Sequence, residues 1–265
     1  MCGQLHNNWY DQLIRWLESA VFQTVEKRSL SEAVYAQLRD RILSDELSAG
    51  EELPSERVLT ELLGVNRGAV REALKRLQQA RLIAVRHGGA TQVLDWRREA
   101  GLEMLPSLLV SASGQINTEV ARGILSLRQS LAPTIAAAAA QQAQTALADG
   151  LNGLLERMQA AAGDDARLQV LALDYWREVI DGSGNIAYRL AFNSLEATYA
   201  AIRPLLTAVM REEFRDIAGL KALAQAIRQG DSQAAHDHAA AHVALGGQAI
   251  ERLLQQLGSR QKGQA

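Results

Sequence analysis

A chain of 265 residues that is 48% apolar has enough material for one or two domains with a sizeable buried core, which argues against a disordered protein. The one cysteine, Cys2, excludes an intrachain disulfide and a cysteine-rich zinc framework and points to a reducing, cytoplasmic setting. With no run of 18 strongly apolar residues, and no basic segment leading into an apolar one at the N-terminus, neither membrane insertion nor secretion is expected. The net charge of −2 is unevenly spread: residues 66–98 hold eight Arg or Lys against two acids, leaving the remainder acidic. Such asymmetry suits one short segment that meets a polyanion, the bland alternative being a solvated basic face.

In chain order, Trp9, Leu13, Trp16, Leu17 and Val21 fall at helical spacing, so an amphipathic helix is expected over residues 9–22 of an N-terminal extension, residues 1–28. Ser29-Leu30-Ser31-Glu32 is a capping-box pattern, and Val34, Leu38 and Ile42 line one face of a helix that ends near Ser44. Pro54 and Ser55 open a short helix through Leu63, closed by Gly64 where a left-handed residue is wanted. The next helix follows at once: Asn66 is a good N-cap, and Ala69, Ala73, Leu74 and Leu77 supply its buried stripe. Leu82–Val85 and Thr91–Leu94, separated by Arg86-His87-Gly88-Gly89-Ala90, read as a strand, a tip and a strand, a two-stranded wing. From Glu99 onward the periodicity is helical in about six segments, broken near Gly114, Gly150, Gly163, Gly182–Gly184, Gly219 and Gly230, with a polar tail over 258–265.

The fold class expected is therefore mainly α: an N-terminal winged helix-turn-helix over residues 29–95 with a small two-stranded wing, and an all-α helical domain over 96–257. A helix that enters the major groove of DNA needs exposed arginines near its N-terminus, because guanine offers O6 and N7 there as paired acceptors for an arginine fork. Arg67, Arg71 and Lys75, at i, i+4 and i+8, share one face away from the apolar stripe, and Gly68 permits close backbone approach. Arg57, in the first turn of the preceding helix, sits where a helix-turn-helix crosses the phosphate backbone. His87 and Gly88 at the wing tip suit a phosphate or minor-groove contact. Taken singly, each is an ordinary solvated residue; the set with its turn chemistry is a motif.

The run LSEAVYAQLRDRILSDELSAGEELPSERVLTELLGVNRGAVREALKRLQQARLI, with LPSER, then GV, then VREAL, resembles the DNA-binding domain of the GntR family of bacterial transcription factors. The resemblance spans about residues 29–95 and implies operator contacts through Arg57, Asn66, Arg67, Gly68, Arg71, His87 and Gly88. Asn66 stands where the family usually has Ser or Thr. The C-terminal region is similar to the helical effector domain of the FadR branch, on Arg228-Gln229-Gly230-Asp231, Ala234, His242 and Ser183-Gly184-Asn185. Many members of that branch hold a divalent metal through one Asp and three His; here the matching positions are Ala172, Trp176 and Leu220, which leaves only His242, so no metal or other cofactor is expected. His236, His238 and His242 tempt as a metal cluster but lack a further ligand.

Without a metal the resemblance shifts toward the fatty-acid-responsive FadR regulators, which bind acyl-CoA, on Trp96 with Gly101-Leu102, Thr91 and Val93 beyond His87-Gly88, Trp176-Arg177, and Tyr188, Asn193 and Tyr199. On the last helix His242, Gly246 and Ile250 replace the Tyr, Ser and Trp of those proteins. A helical cavity wants a few polar anchors on apolar walls, and Arg122, Arg128, Asp174, Tyr175, Trp176, Asn185, Tyr199, Arg203 and His242 are the candidates, with Pro133 and Pro204 expected to kink helices. Each also has a plain role as a capping, paired or surface residue. The function expected is a homodimeric, cytoplasmic regulator that binds double-stranded DNA at a palindromic operator and responds to a small-molecule effector. Its rivals are a metal-dependent carboxylate sensor, and, from other classes, a helical enzyme or a scaffold with a basic lobe. No nucleophile elbow, phosphate loop, HExxH or carboxylate dyad supports the enzyme.

Overall fold

The computed structural model describes residues 30–86, 89–111, 114–142 and 145–263, with side chains through Gln256. The helix expected over residues 9–22, Ser29 of the capping box, and His87 and Gly88 lie outside the described residues. Two compact units divide the chain, Met1–Asn117 and Thr118–Ala265.

In the first unit, helix α1 (Leu30–Leu43) buries Val34, Leu38 and Ile42, spaced four apart along one face. Helix α2 (Glu56–Leu63) starts at Ser55, whose Oγ accepts the Val58 N–H at 3.4 Å, and stops at Gly64, where φ of 64° selects glycine. Helix α3 (Arg67–Gln79) starts at Asn66, whose Oδ1 accepts the Ala69 N–H at 2.9 Å, and buries Ala69, Val70, Ala73 and Leu77. Strands β2 (Ile83–Val85) and β3 (Thr91–Val93) pair antiparallel, Ile83 opposite Val93 and Val85 opposite Thr91. The wing has a third strand that the sequence reading omits: β1 (Glu52–Leu53) pairs with β3, giving the order β1-β3-β2. Two residues ahead of a proline carry no periodicity; hydrogen bonds hold β1, from Gly50 N–H to Val93 O and from Val93 N–H to Glu51 O, both 2.8 Å.

Helix α4 (Trp96–Glu99), a 3-10 turn at Leu102–Met104 and helix α5 (Leu105–Leu109) follow the wing. Met104 is buried with Val34, Leu38, Leu77 and Val93, and Trp96, Ala100 and Leu108 pack against that core. These segments therefore complete the first unit instead of opening the helical domain at residue 96. Beyond Glu99 the described residues also hold one isolated antiparallel bridge, Val110 to Ile116.

The second unit is all helical: α6 (Thr118–Gln142), α7 (Thr145–Ala160), α8 (Asp165–Gly182), α9 (Ile186–Ala201), α10 (Arg203–Val209), α11 (Arg211–Phe214), α12 (Ile217–Gln229) and α13 (Ser232–Gly263). Helices α6 and α13 pack along one another. Ala136, Ala139 and Ala140 of α6 share a core with Ala235, Ala239 and Val243 of α13, small side chains that permit close approach, and with Leu168, Leu171 and Val179 of α8 and Leu220 and Leu223 of α12. Gly163, Gly184 and Gly230 end helices or turn between them with positive φ, as expected, whereas Gly150 lies inside α7 and Gly219 in the first turn of α12. Pro204 starts α10 instead of kinking a helix, because the first turn tolerates a missing N–H; Pro133 sits buried within α6.

Candidate functional site

The turn between α2 and α3 and the stripe of Val70, Ala73 and Leu77, none of it solvent-accessible, fix which face of α3 meets solvent. That face carries Arg67, Gly68, Arg71 and Lys75, all exposed, and Arg57 is exposed in the first turn of α2. Asn66 is exposed as well; with its Oδ1 committed to the Ala69 N–H, its amide Nδ2 remains available as a donor. A Cβ on Gly68 would press on that capping oxygen at 3.2 Å.

The arginines of this face are exposed, as expected, but not all unpaired. Arg57 Nη1 donates to Glu61 at 2.7 Å within α2, and Arg71 Nε donates to Glu56 Oε2 at 2.8 Å from α3 back to α2. Arg67 and Lys75 have no side-chain partner among the described residues. The paired guanidiniums stay about two-thirds exposed, and solvent-exposed pairs of this kind contribute only about 0–1 kcal/mol, so pairing does not withdraw these cations from a polyanion. Arg76 differs: it pairs with Glu32 and lies 4.1 Å from the Tyr35 ring centroid, half-buried, bracing α3 against α1. Arg97 likewise forks onto Asp45 at 2.9–3.0 Å and stacks on Trp96. Glu32, Asp45 and Glu56 come from outside residues 66–98, so the cationic excess counted along that stretch is partly neutralised in space.

In the helical unit several candidate anchors converge and others do not. Arg128 of α6 forks onto Glu213 of α11, which is 3% exposed, and its Nη1 also reaches Val243 O of α13 at 3.5 Å. Glu213 further accepts the Gly246 N–H at 3.2 Å, a contact that a Cβ at Gly246 would obstruct. His242, 1% exposed, holds Asp216 Oδ2 through Nδ1 at 3.0 Å. Its Nε2 lies 3.9 Å from Glu213 and makes no hydrogen bond among the described residues, nor does Trp176 Nε1, whose ring centroid is 6.2 Å away. Gln169 donates to Tyr199 OH at 2.6 Å and to Arg203 O at 3.1 Å and accepts from Thr207 at 2.8 Å. Arg203 Nε is buried without a partner among the described residues. Burial pushes the Tyr199 phenol well above its ordinary range.

The remaining candidates have structural occupations. Tyr175 is wholly buried and donates to Leu220 O at 2.8 Å, Asp174 pairs with Arg177 at 2.6 Å, Arg122 pairs with Glu251 at 3.2 Å, and Asn185 caps α9 by accepting the Ala187 N–H at 2.9 Å. The sequence reading misses Gln169, Glu213 and Asp216. Arg-Glu-Glu-Phe at 211–214 looks like solvated surface, and only Gly246, a helix glycine facing Glu213, hints otherwise. His236 and His238 are exposed, apart from buried His242, and among the described residues no group of three or more His, Cys, Asp or Glu is placed to hold a metal. Among them, too, no helix is long and apolar enough to cross a membrane.

Residues 30–93 match the model of bacterial regulatory proteins of the gntR family, and residues 123–245 match the FCD domain. The HTH-type transcriptional regulator Mce2R of Mycobacterium tuberculosis is 39% identical over 239 residues, covering 90% of this chain and 99% of that protein. This chain belongs to the gntR family. It is a DNA-binding transcriptional regulator with an FCD effector-binding domain. Another relative, the fatty acid metabolism regulator protein of Edwardsiella ictaluri, is 29% identical over 172 residues, 62% of this chain and 67% of that protein. Among solved structures, Streptococcus agalactiae GntR aligns over 83% of this chain and 99% of its own, at 24% identity and a TM-score of 0.44.

Proposed function

We propose that this regulator acts in the cytoplasm as a homodimer on a palindromic operator, and that its affinity for that operator is set by an effector held in the FCD domain. The first unit reads DNA: Arg67, Arg71 and Lys75 enter the major groove with Gly68 close to the backbone, Asn66 donates beside them, Arg57 meets the phosphate strand, and His87 and Gly88 serve as the wing contact. The observation that carries the reading is the exposed cationic face of α3, capped by Asn66 and backed by a fully buried apolar stripe. Two such helices at fixed spacing match two half-sites one helical turn apart or a multiple of it. Effector binding favours a conformation in which that spacing no longer fits, and DNA is released.

The effector is a metabolite bound beside Arg128, Trp176, Tyr199, Arg203 and His242, where Trp176 Nε1, Arg203 Nε and His242 Nε2 are buried without a partner among the described residues. An acyl-CoA or related acyl compound is the first class to test, since a relative carries the name fatty acid metabolism regulator. Native mass spectrometry of the isolated protein identifies what it carries. For the DNA reading, Arg67→Ala or Arg71→Ala in a gel-shift titration should cost about 1–3 kcal/mol with relaxed preference at one base pair. Unchanged operator affinity in both variants contradicts it.

A further inference from the structure

The ion pair between Arg71 and Glu56 has a geometry that bears on how the family's reading helix selects bases. Arg71 projects from the second turn of α3, and the carboxylate that holds it comes from the first residue of α2, fifteen positions earlier, at 2.8 Å. Glu56 lies in the first turn of α2, next to the Ser55 cap, where its charge suits the positive end of the helix dipole, and its side chain is 41% exposed. The bond uses Nε alone. All four Nη hydrogens remain, including the end-on pair that fits guanine O6 and N7. We infer that Glu56 is a specificity-determining positioning residue that presets the Arg71 guanidinium for a base edge and carries this out at the expense of general affinity for DNA.

Two consequences of opposite sign follow. Orienting Arg71 before binding removes the cost of ordering a rotamer-rich side chain at the interface, which favours the duplex whose base completes the contact. A carboxylate on a surface that meets phosphates repels every duplex equally and lowers nonspecific affinity. A carboxylate that merely stabilised the start of α2 would raise the folded fraction and, by its charge, lower affinity for every duplex alike, leaving the ratio of specific to nonspecific affinity unchanged. Arg57 and Glu61 do not share this arrangement, because both belong to α2 and their bond does not tie the two helices together.

The inference rests on the proposal that Arg71 reads a base, so the test separates the two. The probes are a duplex recovered by repeated selection from a random-sequence library with the full-length protein, and an unselected duplex of equal length. The ratio of the two affinities is measured for the native chain, Glu56→Ala, Arg71→Ala and the double variant, with thermal melting as a check on folding. Glu56→Gln, which keeps the shape and an acceptor oxygen, replaces Glu56→Ala if that variant melts early. We expect Glu56→Ala to reduce the ratio about two- to tenfold while binding to the unselected duplex tightens, and to reduce it no further once Arg71 is alanine. A ratio that Glu56→Ala leaves unchanged, or a loss that persists in the Arg71→Ala background, overturns the inference. A ratio insensitive to Arg71→Ala overturns the reading beneath it.

Discussion

His242 and Asp216 form a hydrogen-bonded pair, the imidazole buried and the carboxylate partly so. Since a carboxylate can only accept, Nδ1 of His242 carries the proton in the 3.0 Å bond to Asp216. That bond, aided by the Gly219 N–H and opposed by burial, holds the Asp216 carboxyl below its ordinary value of 3.8. A depressed acid stabilises the fold in its ionised form, so the contribution is in place above 3.8 and is withdrawn as the pH falls through the lower value of the folded protein. Urea midpoints of the helical domain followed between about pH 6 and pH 3 should fall more steeply for the native chain than for Asp216→Asn, which keeps an N-capping oxygen but no charge. Identical acid limbs would mean that the pair contributes nothing. The sequence disclosed Arg67, Arg71 and Lys75 because helical spacing alone puts them on one face. It concealed Glu56, Glu32 and Glu213 as the partners of Arg71, Arg76 and Arg128, since those pairings join residues 15, 44 and 85 positions apart.

At the scale of elements, the Arg128–Glu213 fork ties α6 to α11, and the Gly246 N–H and Val243 O bring α13 into the same node. Removing one partner of a buried pair leaves an uncompensated charge, and Glu213 has almost no solvent to turn to. Arg128→Ala should therefore destabilise the helical domain by about 3–5 kcal/mol, while Arg128→Met with Glu213→Leu should recover much of that loss by filling the site with apolar volume. The check is a urea denaturation series on the full chain; equal losses in the single and double variants would show that the fork is not the source of the cost. Helices with strong caps were legible in advance, Ser55 to Gly64 and Asn66 onward, because cap chemistry is local. Elements defined by their partners were not. The two-residue β1 exists only through β3, and Gly150 continues a helix where a break was expected because its neighbours in α7 bury Leu147, Leu151 and Leu154.

For the molecule as a whole, the division into a DNA-reading unit and a helical effector unit could be read from the change of pattern near the wing, while its boundary could not. Residues 96–109 look like the start of a helical domain by periodicity and pack instead on the first core through Trp96 and Met104. The cationic excess also changed meaning in three dimensions, since acids from neighbouring helices cover part of it and leave Arg67 and Lys75 as uncovered charges on the face of α3. Polyanion binding through those groups releases counterions and must weaken with salt. The decisive measurement is the salt dependence of affinity for the selected duplex, by fluorescence anisotropy, for the native chain and for Arg67→Ala combined with Lys75→Ala. A log-log line with a slope near −0.9 per phosphate contacted, with weaker binding in the double variant and a slope shallower there by about 1 for each removed cation that meets a phosphate, is the predicted result; the same affinity and the same slope in both proteins would contradict the assignment of α3 as the surface that meets DNA.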